Sequence, residues 1–96
     1  VIDKPGKGGF HATALDQALR TRGVTHLAIC GVTTDCCVQA TLREALEHGY
    51  DALVVEDACA AVEPANHEAT LALLRAGGGR FGGVARGEDV FAWLPA

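Results

Sequence analysis

Short apolar runs alternate along the chain with segments whose apolar residues recur every three or four positions. Runs of the first kind are typical of buried strands, and segments of the second kind are typical of amphipathic helices. The runs predict strands over 25–30, 51–56 and 81–85, and Val1-Ile2 resembles the end of an earlier strand. The periodic segments predict helices over 13–22, 35–48, 64–76 and 88–94. Strands that alternate with helices at this spacing predict βαβ units, and therefore an α/β fold built on a parallel sheet.

Several residues at the predicted helix ends favour these boundaries. Thr13 and Asp16 have the spacing of a capping box at the first helix, and Asp35 is placed to cap the second. Pro64 suits the first turn of the third helix, because its fixed backbone angle is helical and it needs no hydrogen-bond partner there. Glycines follow the first three helices and are expected to end them.

The composition indicates one small globular domain, which we assign to residues 1–96. Apolar residues make up 49% of the 96 residues and charged residues 21%, a balance that argues against disorder. The 12 acidic and 8 basic residues give a net charge of −4, which disfavours nucleic acid as a partner. No apolar run reaches the roughly 18 residues of a membrane span, so no membrane partner is expected. The absence of methionine and the start at Val1 suggest the C-terminal part of a longer protein.

The cysteine pattern indicates free thiols and a cytoplasmic protein. Cys36 and Cys37 are adjacent, and no C-x-x-C pair occurs that would indicate a zinc ribbon or a thioredoxin-like site. Cys30 and Cys59 lie in apolar sequence, where a free cysteine behaves as a small hydrophobe. The four histidines lack the spacing of metal ligands, so the sequence predicts neither a metal nor another cofactor.

The segment from Gly31 to Val38 is the main candidate for chemistry, because it joins a buried strand to an amphipathic helix. Cys37 falls in the first turn of that helix, where unpaired N–H groups and the positive end of the helix dipole favour a thiolate. The same N–H groups could bind the oxyanion of a tetrahedral intermediate. Taken alone, Cys37 is better explained as a packing residue, and so is Cys36. A redox pair of the two thiols is the weaker alternative, because adjacent cysteines bridge only under strain.

A glycine-rich segment, 3–10, follows the first apolar residues. Gly8 follows Lys7 where the Walker motif requires Ser or Thr, and the G-x-G-x-x-G pattern also fails, so neither phosphate-binding loop is predicted. We interpret the segment as a loop that brings Lys4 to the end of the next strand, where an ammonium group would favour a neighbouring thiolate. Taken alone, Lys4 would be an ordinary solvated lysine.

Together these motifs resemble the C-terminal half of the isochorismatase-like cysteine hydrolases. The resemblance rests on Asp3-Lys4-Pro5-Gly6-Lys7-Gly8-Gly9-Phe10, on Gly31-Val32-Thr33-Thr34-Asp35-Cys36-Cys37-Val38, and on Thr41-Leu42-Arg43-Glu44-Ala45 and Glu56-Asp57-Ala58. Cys37 follows Lys4 by 33 positions, as in the branch that resembles biuret and ureidoacrylate amidohydrolases. The resemblance implies a three-layer αβα, Rossmann-like isochorismatase-type fold with strand order 3-2-1-4-5-6. The N-terminal strands would be missing from this chain.

The resemblance also assigns roles within the site. Lys4 and Cys37 match the family lysine and nucleophile, whereas the family aspartate is expected upstream of Val1. A cis peptide is implied between Val32 and Thr33, with the Thr33 and Cys37 amides forming an oxyanion hole. Nicotinamidases of the family hold a metal with Asp and His residues, which are also expected upstream, and this branch is expected to need no cofactor.

The function implied is hydrolysis of a C–N bond in a small amide or ureide through a thioester acyl-enzyme. The resemblance further implies a homo-oligomer when the domain is complete. Because strands would be missing beside Lys4, we expect that residue to be tethered across a gap and the chain alone to be inactive and poorly folded. His11, Asn66 and His67 could contribute to the substrate pocket or serve only as surface or capping residues. The alternative function is that of a non-catalytic remnant or binding module with the same fold.

Overall fold

The computed structural model describes residues 1–77 and 82–93 and contains a three-stranded parallel sheet. The strands are β1 (His26–Val32), β2 (Asp51–Ala60) and β3 (Gly83–Ala85), and β2 lies between the other two. The helices are α1 (Leu15–Thr21), α2 (Gln39–Glu47), α3 (Pro64–Ala76) and α4 (Gly87–Trp93). The predicted α/β class and parallel sheet are therefore confirmed. Residues 81 and 94, at the ends of two predicted elements, lie outside the described residues.

The core of the chain lies on one face of this sheet. The first buried cluster joins α2 and α3 to the centre of β2 and consists of Val38, Leu42, Val54, Leu71 and Leu74. A second cluster beside it consists of Phe10, Ala45 and Tyr50, with Leu15 and Leu19 of α1 packed against it. Side chains alternate between the two faces of a strand. Ile29 and Val54 therefore point toward these helices, and Ala28 and Val55 point toward α4.

Both longer strands extend beyond their predicted ends. Ile29 pairs with Val54, but the next pair is Gly31 with Cys59, so the register shifts at this point. After the shift the two strands pair again through Val32 and Ala60. This second pairing joins residues that are distant in the sequence, so local periodicity gave no sign of it.

Three local predictions were wrong. The structure places no strand at Val1-Ile2, and both side chains are exposed. The capping box does not form, because Ala14 occupies the N-cap of α1 without a side-chain bond and Asp16 accepts the Tyr50 hydroxyl instead. Asp35 is not a cap either, because it lies inside the first turn of a helical segment whose N-cap is the Thr33 backbone.

The predicted helix over 35–48 has two parts. A π-helical turn, Thr34–Val38, comes first, and α2 continues directly from it. Helix α3 has the predicted boundaries, with Pro64 in its first turn. None of the helices in the described part of the chain combines the length and the apolar character needed to span a membrane.

Candidate active site

The carboxyl end of β1 leads directly into the π-helical turn that carries Cys37. Gly31 has a φ of +126°, which side chains rarely allow, so glycine suits this position. The next peptide bond, between Val32 and Thr33, is cis. The Thr33 carbonyl then accepts hydrogen bonds from the Cys36 amide at 3.2 Å and the Val38 amide at 3.1 Å. These two bonds hold the backbone on either side of Cys37.

The structure brings Lys4 and Cys37 together. Lys4 Nζ lies 4.0 Å from Cys37 Sγ, and the cysteine is only partly buried. The lysine also donates to the Gly6 carbonyl at 2.8 Å and the Lys7 carbonyl at 3.1 Å. An ammonium group has three protons, and these three acceptors account for all of them. The amine is therefore oriented toward the sulfur.

The expected gap beside Lys4 is absent, and that expectation was wrong. The glycine-rich segment 4–10 packs on α2, the helix that follows the π-helical turn. Phe10 is buried against Ala45 and Tyr50. The loop that carries Lys4 thus lies against α2, and the amine lies beside the sulfur.

A polar contact that the sequence did not reveal joins the π-helical turn that carries Cys37 to α3. Thr34 is buried in the π-helical turn, and its hydroxyl lies 2.7 Å from Nδ1 of His67 on α3. The sequence left a pocket, surface or capping role open for His67, and the structure places its ring against the buried Thr34 hydroxyl. The two residues are 33 positions apart, so only the packing of α3 brings them into contact.

The other cysteines differ in their surroundings. Cys36, next to the candidate nucleophile, is exposed, and so is Cys30, which corrects the expectation of an apolar environment for Cys30. Cys59 is partly buried, and this burial raises the pKa of its thiol, an effect that a hydrogen bond with the Gly31 backbone opposes. All four thiols are free.

An ionic cluster lies around Glu56 and Asp57 of β2, and of its members only the Glu56-Asp57 motif was singled out in the sequence. Glu56 binds Arg75 of α3 and lies 3.7 Å from Arg86, while Asp57 accepts the Gly87 amide at the start of α4 at 2.7 Å. These bonds join α3 and α4 to the sheet. Within residues 1–77 and 82–93, no group of three or more His, Cys, Asp or Glu side chains is arranged to hold a metal.

Comparisons with known proteins concern the family and the fold of this chain. The family model of the isochorismatase domain matches residues 1–89. Ureidoacrylate amidohydrolase RutB of Acinetobacter baylyi is 40% identical over 72 residues, which cover 74% of this chain and 29% of that protein.

Solved structures extend the similarity to the fold. An isochorismatase family protein of Burkholderia thailandensis has a TM-score of 0.88 at 35% identity, over 96% of this chain and 47% of that one. The nicotinamidase SaPncA of Staphylococcus aureus has a TM-score of 0.80 at 34% identity, over 88% of this chain and 52% of its own. The chain thus spans about half the length of these structures and less of the curated relative. By sequence and by fold, the chain belongs to the isochorismatase domain family.

Proposed function

We propose that this chain supplies the nucleophile of a cysteine amidohydrolase that cleaves a C–N bond in a small amide or ureide. The observation that carries the proposal is the Lys4 ammonium group 4.0 Å from the partly buried sulfur of Cys37. That sulfur lies where a parallel strand gives way to a helix, the edge at which α/β sheets bind their ligands. The relatives named ureidoacrylate amidohydrolase and nicotinamidase indicate the substrate class.

The reaction has two halves. The Cys37 thiolate attacks the carbonyl carbon, and the Thr33 and Cys37 amides stabilise the oxyanion. The C–N bond then breaks, the proton lost by the thiol ends on the departing nitrogen, and a thioester remains. Water adds to the thioester, the C–S bond breaks, and the acid and the free thiol are released. Lys4 holds the thiolate and a polar group of the substrate.

The test compares two adjacent cysteines in the protein that carries this chain. Cys37→Ala should abolish hydrolysis of a panel of small amides and ureides that includes ureidoacrylate and nicotinamide. Cys36→Ala is the matched control and should keep the activity, because its side chain is exposed. Intact-mass spectrometry under rapid quench should detect the acyl adduct in the parent protein and in the Cys36 variant only. Turnover by Cys37→Ala would refute the proposal.

We further propose that residues 1–96 alone do not catalyse this reaction, because they span only part of the length of their relatives. The active form is proposed to be a cytoplasmic homo-oligomer, in which a neighbouring subunit completes the pocket. Activity of the isolated 96-residue chain would contradict the first proposal. A monomer in light scattering of the active protein would contradict the second.

A further inference from the structure

We propose that the hydroxyl of Thr41 is a positioning group that sets the Lys4 amine beside the sulfur of Cys37. This inference rests on the proposed roles of Lys4 and Cys37. It adds a residue of α2 whose side chain joins the backbone of the nucleophile to the loop that carries the lysine.

The Thr41 hydroxyl makes two hydrogen bonds in opposite directions. It donates to the Cys37 carbonyl at 2.8 Å and accepts the Gly9 amide at 3.0 Å. A hydroxyl has one proton and two lone pairs, so both bonds can exist at once. One oxygen atom therefore connects the nucleophile residue to the glycine-rich loop.

A second hydrogen bond joins the glycine-rich loop to α2. The Phe10 amide donates to Glu44 Oε1 at 3.3 Å. Gly8 is buried against that carboxylate, and a Cβ atom at this position would overlap it. An alanine at this position would therefore require the Glu44 carboxylate to shift.

The path from the loop to the amine is short. The Lys4 ammonium group is held by the Gly6 and Lys7 carbonyls, which belong to the same loop, and its third contact is the sulfur. The contacts thus form a closed ring that runs from Cys37 through Thr41, Gly9 and Lys4 back to Cys37. Loosening the Thr41 bond should let the loop move and carry the amine away from the sulfur.

A simpler explanation for Thr41 is local. Threonine in a helix often donates to the carbonyl four residues earlier, and that bond alone would have no bearing on Lys4. The two explanations differ in one respect. If Thr41 acts through Lys4, its substitution should have no effect once Lys4 has lost its charge.

The experiment measures the rate at which iodoacetamide alkylates Cys37 at pH 7 in the protein that carries this chain. The exposed Cys30 and Cys36 are first replaced by serine, so that Cys37 is the only thiol between Arg22 and Arg43 and can be followed by peptide mass spectrometry. Four variants are made in this parent: Thr41→Val, Thr41→Ser, Lys4→Met, and Thr41→Val combined with Lys4→Met. Circular dichroism establishes that each is folded.

Thr41→Val should slow alkylation about fivefold, the effect of losing one charge at this distance in water, and Lys4→Met should do the same. Thr41→Ser, which keeps the hydroxyl, should be alkylated at the parent rate. The double variant should be no slower than Lys4→Met alone. Thr41→Ala provides a second route to the same result if Thr41→Val does not fold, because it also removes the hydroxyl that binds Gly9 and Cys37.

The inference is overturned if Cys37 in Thr41→Val is alkylated at the parent rate, or if Thr41→Ser is as slow as Thr41→Val. It is also overturned if Thr41→Val slows alkylation in the Lys4→Met protein by the same factor as in the parent. Should Thr41→Val not fold, a parent rate in Thr41→Ala overturns it. Alkylation requires no amide substrate, so the result is independent of hydrolysis. A protein with the expected alkylation pattern but no amidase activity would contradict the proposed function and leave the positioning role standing.

Discussion

The two faces of the sheet are covered to different degrees, and the candidate site belongs to the better covered one. On the face under α2 and α3, Leu42 and Val54 have no exposed surface. On the α4 face, Phe91 keeps 73% of its surface exposed, and Val32, at the end of β1, keeps 69%. The same sheet therefore supports a dense core on one side and a thin cover on the other.

The difference between the two faces explains how the π-helical turn that carries Cys37 is kept in place. Thr34 and Val38, at the two ends of the π-helical turn, are both buried among the helices of the packed face. Cys37, between them, stays partly exposed. A reactive thiol needs both access to solvent and a fixed backbone. The packed face fixes the backbone of this turn and leaves the Cys37 thiol accessible.

The largest effect is expected for Leu42→Ala, in the centre of the packed face. Removing a fully buried leucine side chain leaves a cavity, and the free energy of unfolding should fall by about 2–5 kcal/mol. Leu73→Ala on α3 is the control, because that side chain is 45% exposed. Urea unfolding of the protein that carries this chain measures both. Equal losses of unfolding free energy in the two variants would mean that Leu42 is no more deeply packed than Leu73.

A smaller loss is expected for His67→Ala, which leaves the buried Thr34 hydroxyl without its partner. An unpaired buried hydroxyl costs about 1–3 kcal/mol. Asn66→Ala, at the exposed neighbouring position of α3, should be close to neutral. Thr34→Val should cost less than His67→Ala, because a partly exposed histidine can still bond to water. A His67→Ala protein as stable as Asn66→Ala would show that this contact does not anchor the turn.

A pH-dependent effect is expected at the margin of the packed face, where Tyr50 donates to Asp16 at 2.6 Å. This hydrogen bond is the main cause that lowers the pKa of Asp16, and the nearby Arg20 adds to it. A lowered pKa in the folded state stabilises the protein above the unfolded value of about 4, and this stability is lost as the pH falls through the folded value.

The test is urea unfolding between pH 6 and pH 2. Tyr50→Phe removes the hydroxyl and should reduce the loss of stability toward acid, and Asp16→Asn should reduce it further. Parallel stability curves for the parent and Tyr50→Phe would contradict the assignment of this dependence to the Asp16–Tyr50 pair.

The smallest effect is expected for Phe91→Ala on the thinly covered face. Because most of this ring is exposed, the free energy of unfolding should change by no more than about 0.5 kcal/mol. Urea unfolding under the conditions used for Leu42→Ala gives a direct comparison. A loss close to that of Leu42→Ala would mean that the α4 face is covered in the native protein.

The sequence alone determined the features that depend on neighbouring residues. The apolar period and Pro64 fixed both ends of α3, and the alternation of runs and helices established the parallel α/β sheet. The position of Cys37 at the start of a helix also followed from local pattern. These features are set by propensities and periods that act over a few residues.

The tertiary structure decided the features that join distant parts of the chain. The second register of β1 and β2 and the Thr34–His67 contact both connect residues that are far apart in the sequence. Asp16 shows this competition between local and tertiary hydrogen bonds. The spacing in the sequence predicts that it pairs with Thr13, but in the folded chain its carboxylate accepts the Tyr50 hydroxyl. Such contacts depend on which surfaces meet after the elements pack, and local pattern does not specify that.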